Sequence, residues 1–201
     1  MRRTSPLAAI AVAILLPAAV AAHVPSVMDS ETSGPAEAIV LDDPTLSRAI
    51  GATISTPGEV DWYRLDLQAG DRMVLSINAP DAVGAIATTF TLFGPGLPAS
   101  DVDTETQALL EALGADGVYE FEPSTEPTLE RHGGLGFIDY GRVRFDAPAD
   151  GSYYVALRAL DPEATGKYVF APGVREEFGL GAIAGMRDLM AFFEAPWPPE
   201  A

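Results

Sequence analysis

Cysteine is absent from this 201-residue chain, lysine occurs once, at Lys167, and histidine twice, at His23 and His132. Without cysteine there is no disulfide, no thiolate metal site, no thiol nucleophile and no lipid-modified cysteine, so stability must come from packing. Positive charge is scarce as well. Twelve basic residues face 29 acidic ones, a net charge of −17. Such a surface repels nucleic acid and anionic lipid, which excludes nucleic-acid partners, and it favours solubility, cations or basic partners. Long apolar runs are missing too, with one exception.

That exception is Leu7 to Leu16, which follows Arg2 and Arg3 and precedes Pro17 and the small residues Ala18-Ala19-Val20-Ala21-Ala22. A basic start, a short apolar run and an A-x-A-like end read as a secretory signal, cut after Ala21 or Ala22. The run falls short of the roughly 20 apolar residues a membrane span needs. The expectation is a secreted or periplasmic protein with no transmembrane span in the mature chain. Removing 1–22 leaves ten basic and 29 acidic residues, a net charge of −19.

Residues 23–36 are rich in Ser, Pro, Gly and acids without periodicity and read as a flexible acidic leader. From Glu37 the texture becomes short segments of period-two alternation bounded by Gly, Pro and Asp, the pattern of antiparallel strands with one buried face. Eight strands are predicted: Ala38–Leu41, Arg48–Ile54 (broken at Gly51), Val60–Leu67, Arg72–Asn78, Thr88–Phe93, Arg142–Asp146, Ser152–Arg158 and Lys167–Ala171. Their inward residues include Tyr63, Leu65, Leu67, Met73, Leu75, Ile77, Tyr153, Val155, Leu157, Tyr168 and Phe170. The fold class is all-β: an antiparallel β-sandwich or jelly roll spanning 37–172.

An insert at 97–140 interrupts it. Thr104–Leu113 reads as a short helix capped by Thr104, and 115–140 as a mixed loop. At the end, Phe178–Glu194 has helical periodicity in Leu180, Ile183, Met186, Leu189, Met190 and Phe193, weakened by Gly179, Gly181 and Gly185 and followed by a Pro-rich tail. This helix is expected to pack on the sandwich.

Three stretches carry a family resemblance: Gly58-Glu59-Val60-Asp61-Trp62-Tyr63-Arg64-Leu65-Asp66-Leu67-Gln68-Ala69-Gly70-Asp71; Thr91-Leu92-Phe93-Gly94-Pro95-Gly96; and Ala147-Pro148-Ala149-Asp150-Gly151-Ser152-Tyr153-Tyr154-Val155 with Gly166-Lys167-Tyr168-Val169-Phe170 after it. In order and spacing the chain resembles the bacterial pre-peptidase C-terminal (PPC) domain, with GOLD-like sandwiches as the near alternative. The resemblance implies a small secreted β-sandwich of the kind appended to exported peptidases. No peptidase domain accompanies it here, and the acidic leader motif of calcium-binding relatives is not reproduced.

Candidate chemistry is sparse. No G-x-S-x-G occurs for a Ser-His-Asp triad that would need His132 as base. Paired carboxylates could serve an unrecognised enzyme, but among 29 acids pairs arise by chance. Asp42, Asp43 and Asp61, with Asp29 and Glu31, are hard oxygen donors of the type Ca²⁺ takes, and calcium would hold leader to sandwich. His23, were it the new N-terminus, could chelate Cu²⁺ through amine and imidazole. Trp62, Tyr154 and His132 are candidates for a binding surface. The two aromatic side chains would stack on a sugar or peptide if exposed, or form core if the terminal helix covers them. The leading expectation is a non-catalytic exported module that binds an extracytoplasmic protein or polysaccharide. A calcium-stabilised accessory domain and a carboxylate-based enzyme are the alternatives.

Overall fold

Alternating apolar residues in the central strands bury one face each, and two such faces pack together. The computed structural model describes residues 23–28, 32, 34–99, 101–132, 134–177 and 180–198. The signal segment with its cleavage site, Asp29, Glu31 and Phe178 lie outside them. The described residues form an all-β sandwich. Its strands are β1 (Val24–Val27), β2 (Ile39–Val40), β3 (Arg48–Ile54), β4 (Val60–Leu67), β5 (Arg72–Pro80), β6 (Thr88–Gly94), β7 (Gly117–Glu120), β8 (Thr128–His132), β9 (Leu135–Asp146), β10 (Gly151–Ala159) and β11 (Gly166–Pro172). One sheet runs β1-β3-β11-β5-β9-β8, the other β2-β4-β10-β6-β7. Two helices, α1 (Thr104–Leu113) and α2 (Leu180–Glu194), complete the fold.

Between the sheets lie the expected inward residues. Tyr63, Leu65, Met73, Leu75, Ile77, Tyr153, Val155, Leu157, Tyr168 and Phe170 are all fully buried. Each large apolar side chain so placed contributes about 1.5–3 kcal/mol. A polar chain crosses this core. The Tyr168 hydroxyl donates to Asp61 Oδ2 at 2.6 Å, and the Tyr63 and Tyr168 hydroxyls lie 2.7 Å apart. Because Asp61 and Tyr63 belong to β4 and Tyr168 to β11, this chain ties one sheet to the other. Burial, reinforced by Tyr63 and Asp61, pushes the Tyr168 phenol well above its usual pKa.

The structure corrects several expectations. The leader is not featureless, because Val24–Val27 forms β1 and pairs parallel with β3. Its position is fixed from above: a Cβ on Gly185 of α2 would lie 2.0 Å from the Pro25 carbonyl oxygen, so only glycine lets the helix backbone approach. β2 pairs parallel with β4, so the sandwich is antiparallel except at these two edges. The insert supplies β7, β8 and the first half of β9 rather than a mixed loop. β3 runs unbroken through Gly51, where a Cβ would meet Leu189 and Phe192 of α2 within 3.0 Å. The α1 cap is Asp103, which accepts from the Thr106 amide at 2.7 Å, and not Thr104.

The outer faces are covered by different helices. On the six-stranded sheet, Leu189 and Phe193 of α2 pack with Ala49, Val169 and Leu135. Met190, expected on the packed side, is 38% exposed; Ile183 lies among side chains outside the described residues. On the five-stranded sheet, Leu110 of α1 packs with Trp62, Phe93, Val118 and Ala156, flanked by Tyr154, Leu109 and Leu113. The cover over Trp62 and Tyr154 is therefore α1, not the terminal helix.

Candidate functional site

α2 lies over β1, β3, β11 and the start of β9, and leaves bare the outer face where β5 begins and β9 ends. There the register sets Arg72 opposite Asp146, Val74 opposite Arg144 and Ser76 opposite Arg142. Outward positions recur every second residue, so Arg142 and Arg144 share this face with Arg72 and Val74. The segment after β11, with Gly173, Val174 and Glu176, forms one wall together with His23 and Ser47 at the starts of β1 and β3. The result is an open cleft of about 590 Å³. It holds three arginines and two carboxylates, Asp146 and Glu176, on a chain that is otherwise strongly acidic.

The three arginines are held differently. β9 carries a bulge opposite Ile77 and Asn78, where Gly141 adopts a φ of 112° and its amide donates to Asp139 Oδ1 at 2.7 Å. The bulge brings buried Asp139 under Arg142, whose guanidinium donates to Asp139 Oδ2 and lies 3.8 Å from Glu130 Oε1. Arg72 is 3.4 Å from Asp146, with both side chains well exposed, so that pair holds weakly. The Arg144 side chain makes no ion pair or hydrogen bond among the described residues. One arginine is thus pre-positioned, one loosely engaged and one open.

His23 Nδ1 lies 2.6 Å from Ser47 Oγ. A His–Ser pair beside a cleft invites comparison with an activated nucleophile. Ser47, however, is only 3% exposed and its hydroxyl is held by the imidazole at the cleft wall, a poor position for attack on a substrate carbonyl. The contact anchors the residue before β1 to the cleft wall.

Of the residues considered for calcium, Asp42, Asp43 and Asp61 are described, and Asp61 is not brought to the other two. Asp61 is fully buried in the core and accepts from Tyr168. Asp43 lies on an exposed turn at a φ of 51°, where Thr45 donates to Oδ1 at 2.8 Å and Arg175 clasps Oδ2. The Thr45 hydroxyl first, and then Arg175, hold its carboxyl below the usual carboxylate pKa. The neighbouring Asp42 offers its backbone carbonyl to Arg48. Among the described residues no group of three or more His, Cys, Asp or Glu is arranged to hold a metal ion.

The binding-surface candidates are corrected in part. Trp62 is 6% exposed and stacks on Phe93 at 5.8 Å, so it is core beneath α1. Tyr154 is half-buried in the same cluster. His132 ends β8, and its side chain lies outside the described residues. Sequence reasoning placed Arg72, Arg142 and Arg144 on strands but did not bring them together. The available signal was Arg142 and Arg144 alternating outward in a chain where acids outnumber bases 29 to 12.

No family model matches the chain, and no curated protein does. Solved structures with a similar outline exist at low identity. PliG of Aeromonas hydrophila, a periplasmic lysozyme inhibitor of g-type lysozyme, is 13% identical, with 69% of this chain and 96% of that one covered and a TM-score of 0.38. CorA of Methylomicrobium album BG8, a surface-associated copper-binding protein, is 8% identical, with 75% of this chain and 100% of that one covered and a TM-score of 0.38. Among the described residues no helix is long and apolar enough to cross a membrane.

Proposed function

We propose that this chain is a non-catalytic, exported β-sandwich module, PPC-like in organisation, that binds an anionic extracytoplasmic protein or polymer through the arginine cleft. The observation that carries the reading is the convergence of Arg72, Arg142 and Arg144 on a stretch of the six-stranded sheet that α2 leaves bare. Guanidinium groups bind carboxylates, sulfates and phosphates through paired hydrogen bonds. The cleft is open and shallow, which suits a surface or a strand of polymer better than a small enclosed substrate. The His23–Ser47 pair holds its hydroxyl poorly placed for attack, in keeping with a binding role. The signal-like N-terminal residues support export.

The test is native electrophoresis of the exported protein through gels carrying poly-L-glutamate or polygalacturonate. Retardation by at least one polymer is expected, lost in the double variant Arg142→Glu/Arg144→Glu. It should persist in Arg158→Glu, which changes an exposed arginine on β10 of the other sheet. Unretarded migration in both gels would refute the reading.

A further inference from the structure

Resting on that reading, we infer that the ligand of the cleft is a short, extended acidic polypeptide segment with carboxylates on alternate residues. The first argument is spacing. Arg142 and Arg144 project from one face of β9, and alternate side chains on a strand recur about every 6.7 Å. An extended peptide laid along β9 repeats its own alternate side chains at the same interval, so two carboxylates two residues apart meet the guanidinium groups of Arg142 and Arg144, and the next same-face position, over Asp146, is left uncharged. Its intervening side chains point to solvent. Val74 lies directly across from Arg144, and Val174, 37% exposed, stands on the wall; both keep the floor apolar enough to strengthen each charged contact.

The second argument concerns what the cleft lacks. A sugar ring is held most effectively by stacking on an aromatic face. The single aromatic residue of the lining, Phe145, is turned toward the core, its ring 6.3 Å from that of Tyr153. The described lining offers forks for carboxylates and no platform for a pyranose.

The third argument is electrostatic and sets the length. The whole chain carries −17, so the parts of a polyanion beyond the cleft gain no further attraction. At physiological ionic strength charges are screened beyond about 8 Å. A segment confined to the cleft feels the arginines and little else. From Arg142 to the level of Asp146 the floor spans about 13 Å, room for four or five extended residues.

Isothermal titration of the exported protein with three probes of equal charge tests this. The probes are a blocked Ser-Glu-Ser-Glu-Ser pentapeptide, a blocked Ser-Glu-Glu-Ser-Ser pentapeptide whose adjacent glutamates point to opposite faces, and di-galacturonate. The alternating peptide is expected to bind roughly tenfold or more tightly than either other probe. Arg144→Gln should weaken it by a similar factor, Arg144→Lys should restore only part because the fork is lost, and Arg158→Gln should leave it unchanged. Equal binding of the two peptides, or tighter binding of di-galacturonate, would overturn the inference while leaving an anion-binding cleft. Failure of all three probes to bind would overturn both.

Discussion

Lys167, the only lysine, is 2% exposed and projects from the outer face of β11 beneath the end of α2. Its Nζ donates to the Phe193 carbonyl at 3.4 Å and to the Ala195 carbonyl, and lies 5.4 Å from the Phe192 ring centroid. A cation placed on the last carbonyls of a helix satisfies groups that have no partner within the helix and opposes the negative end of its dipole. Replacement by Met keeps the stem and removes the charge. The loss comprises hydrogen bonds from a charged donor, about 1.5–3 kcal/mol, and a dipole contribution of about 0.3–1 kcal/mol. Part is offset, because burial disfavours the ammonium and pushes its pKa down. A net destabilisation of about 2 kcal/mol follows, which lowers Tm by about 4–8 °C for a domain of this size. Hydrogen exchange should quicken first in α2. The pH dependence has a definite sign. Between the depressed folded pKa and the unfolded value of about 10.4, the unfolded chain binds more protons, so wild-type stability rises with pH there. The slope should vanish in Lys167→Met. A variant as stable as wild type, with α2 exchange unchanged, would refute the cap; a wild-type stability that falls through that window below pH 10 would refute the depressed pKa.

Two further outcomes follow from the packing. Tyr168→Phe removes the hydroxyl donated to buried Asp61 and should cost at least about 2 kcal/mol in denaturant unfolding. Because the folded phenol titrates well above its unfolded value of about 10, wild-type stability is retained below pH 10 and lost as pH rises beyond it, a loss the Phe variant should lack. Gly185→Ala drives a methyl into the Pro25 carbonyl and should cost about 1–3 kcal/mol, read as earlier proteolysis within residues 23–28 than in wild type.

The central strands were legible because each alternates over a half-buried face, as in Val60–Leu67 with Tyr63, Leu65 and Leu67 on one side. Strands that owe their existence to neighbours were not. Val24–Val27 is four residues containing a proline, and it is a strand because α2 presses its Pro25 against β3. Thr128–His132 is an edge strand with Leu129 half-exposed, and edge strands carry polar residues that erase alternation. Gly51 looked like a break because glycine weakens strands; here it makes room for two side chains of a helix 138 residues further on. The cleft was hidden for the same reason. Arg72 and Arg144 become neighbours through the β5–β9 pairing, which depends on sheet order and not on local pattern.

A solvated sheet face has to be polar, so the arginines of the cleft must be weighed against simple solvation. Outside the signal segment acids outnumber bases 29 to 10, and one of the ten is buried Lys167. A face selected only to meet water would draw mostly on acids, as the rest of this surface does. Instead three of the nine remaining arginines occupy adjoining outward positions of β5 and β9, and a bulge spends a glycine at positive φ to seat one of them on a buried aspartate. Solvation requires neither the choice of sign nor the bulge, whereas recognition of carboxylates uses both. What separates the cleft from the turn at Asp43 is Arg144: Arg175 is paired with Asp43 and Glu177, as Arg142 is with Asp139 and Glu130, whereas the Arg144 guanidinium makes no ion pair among the described residues.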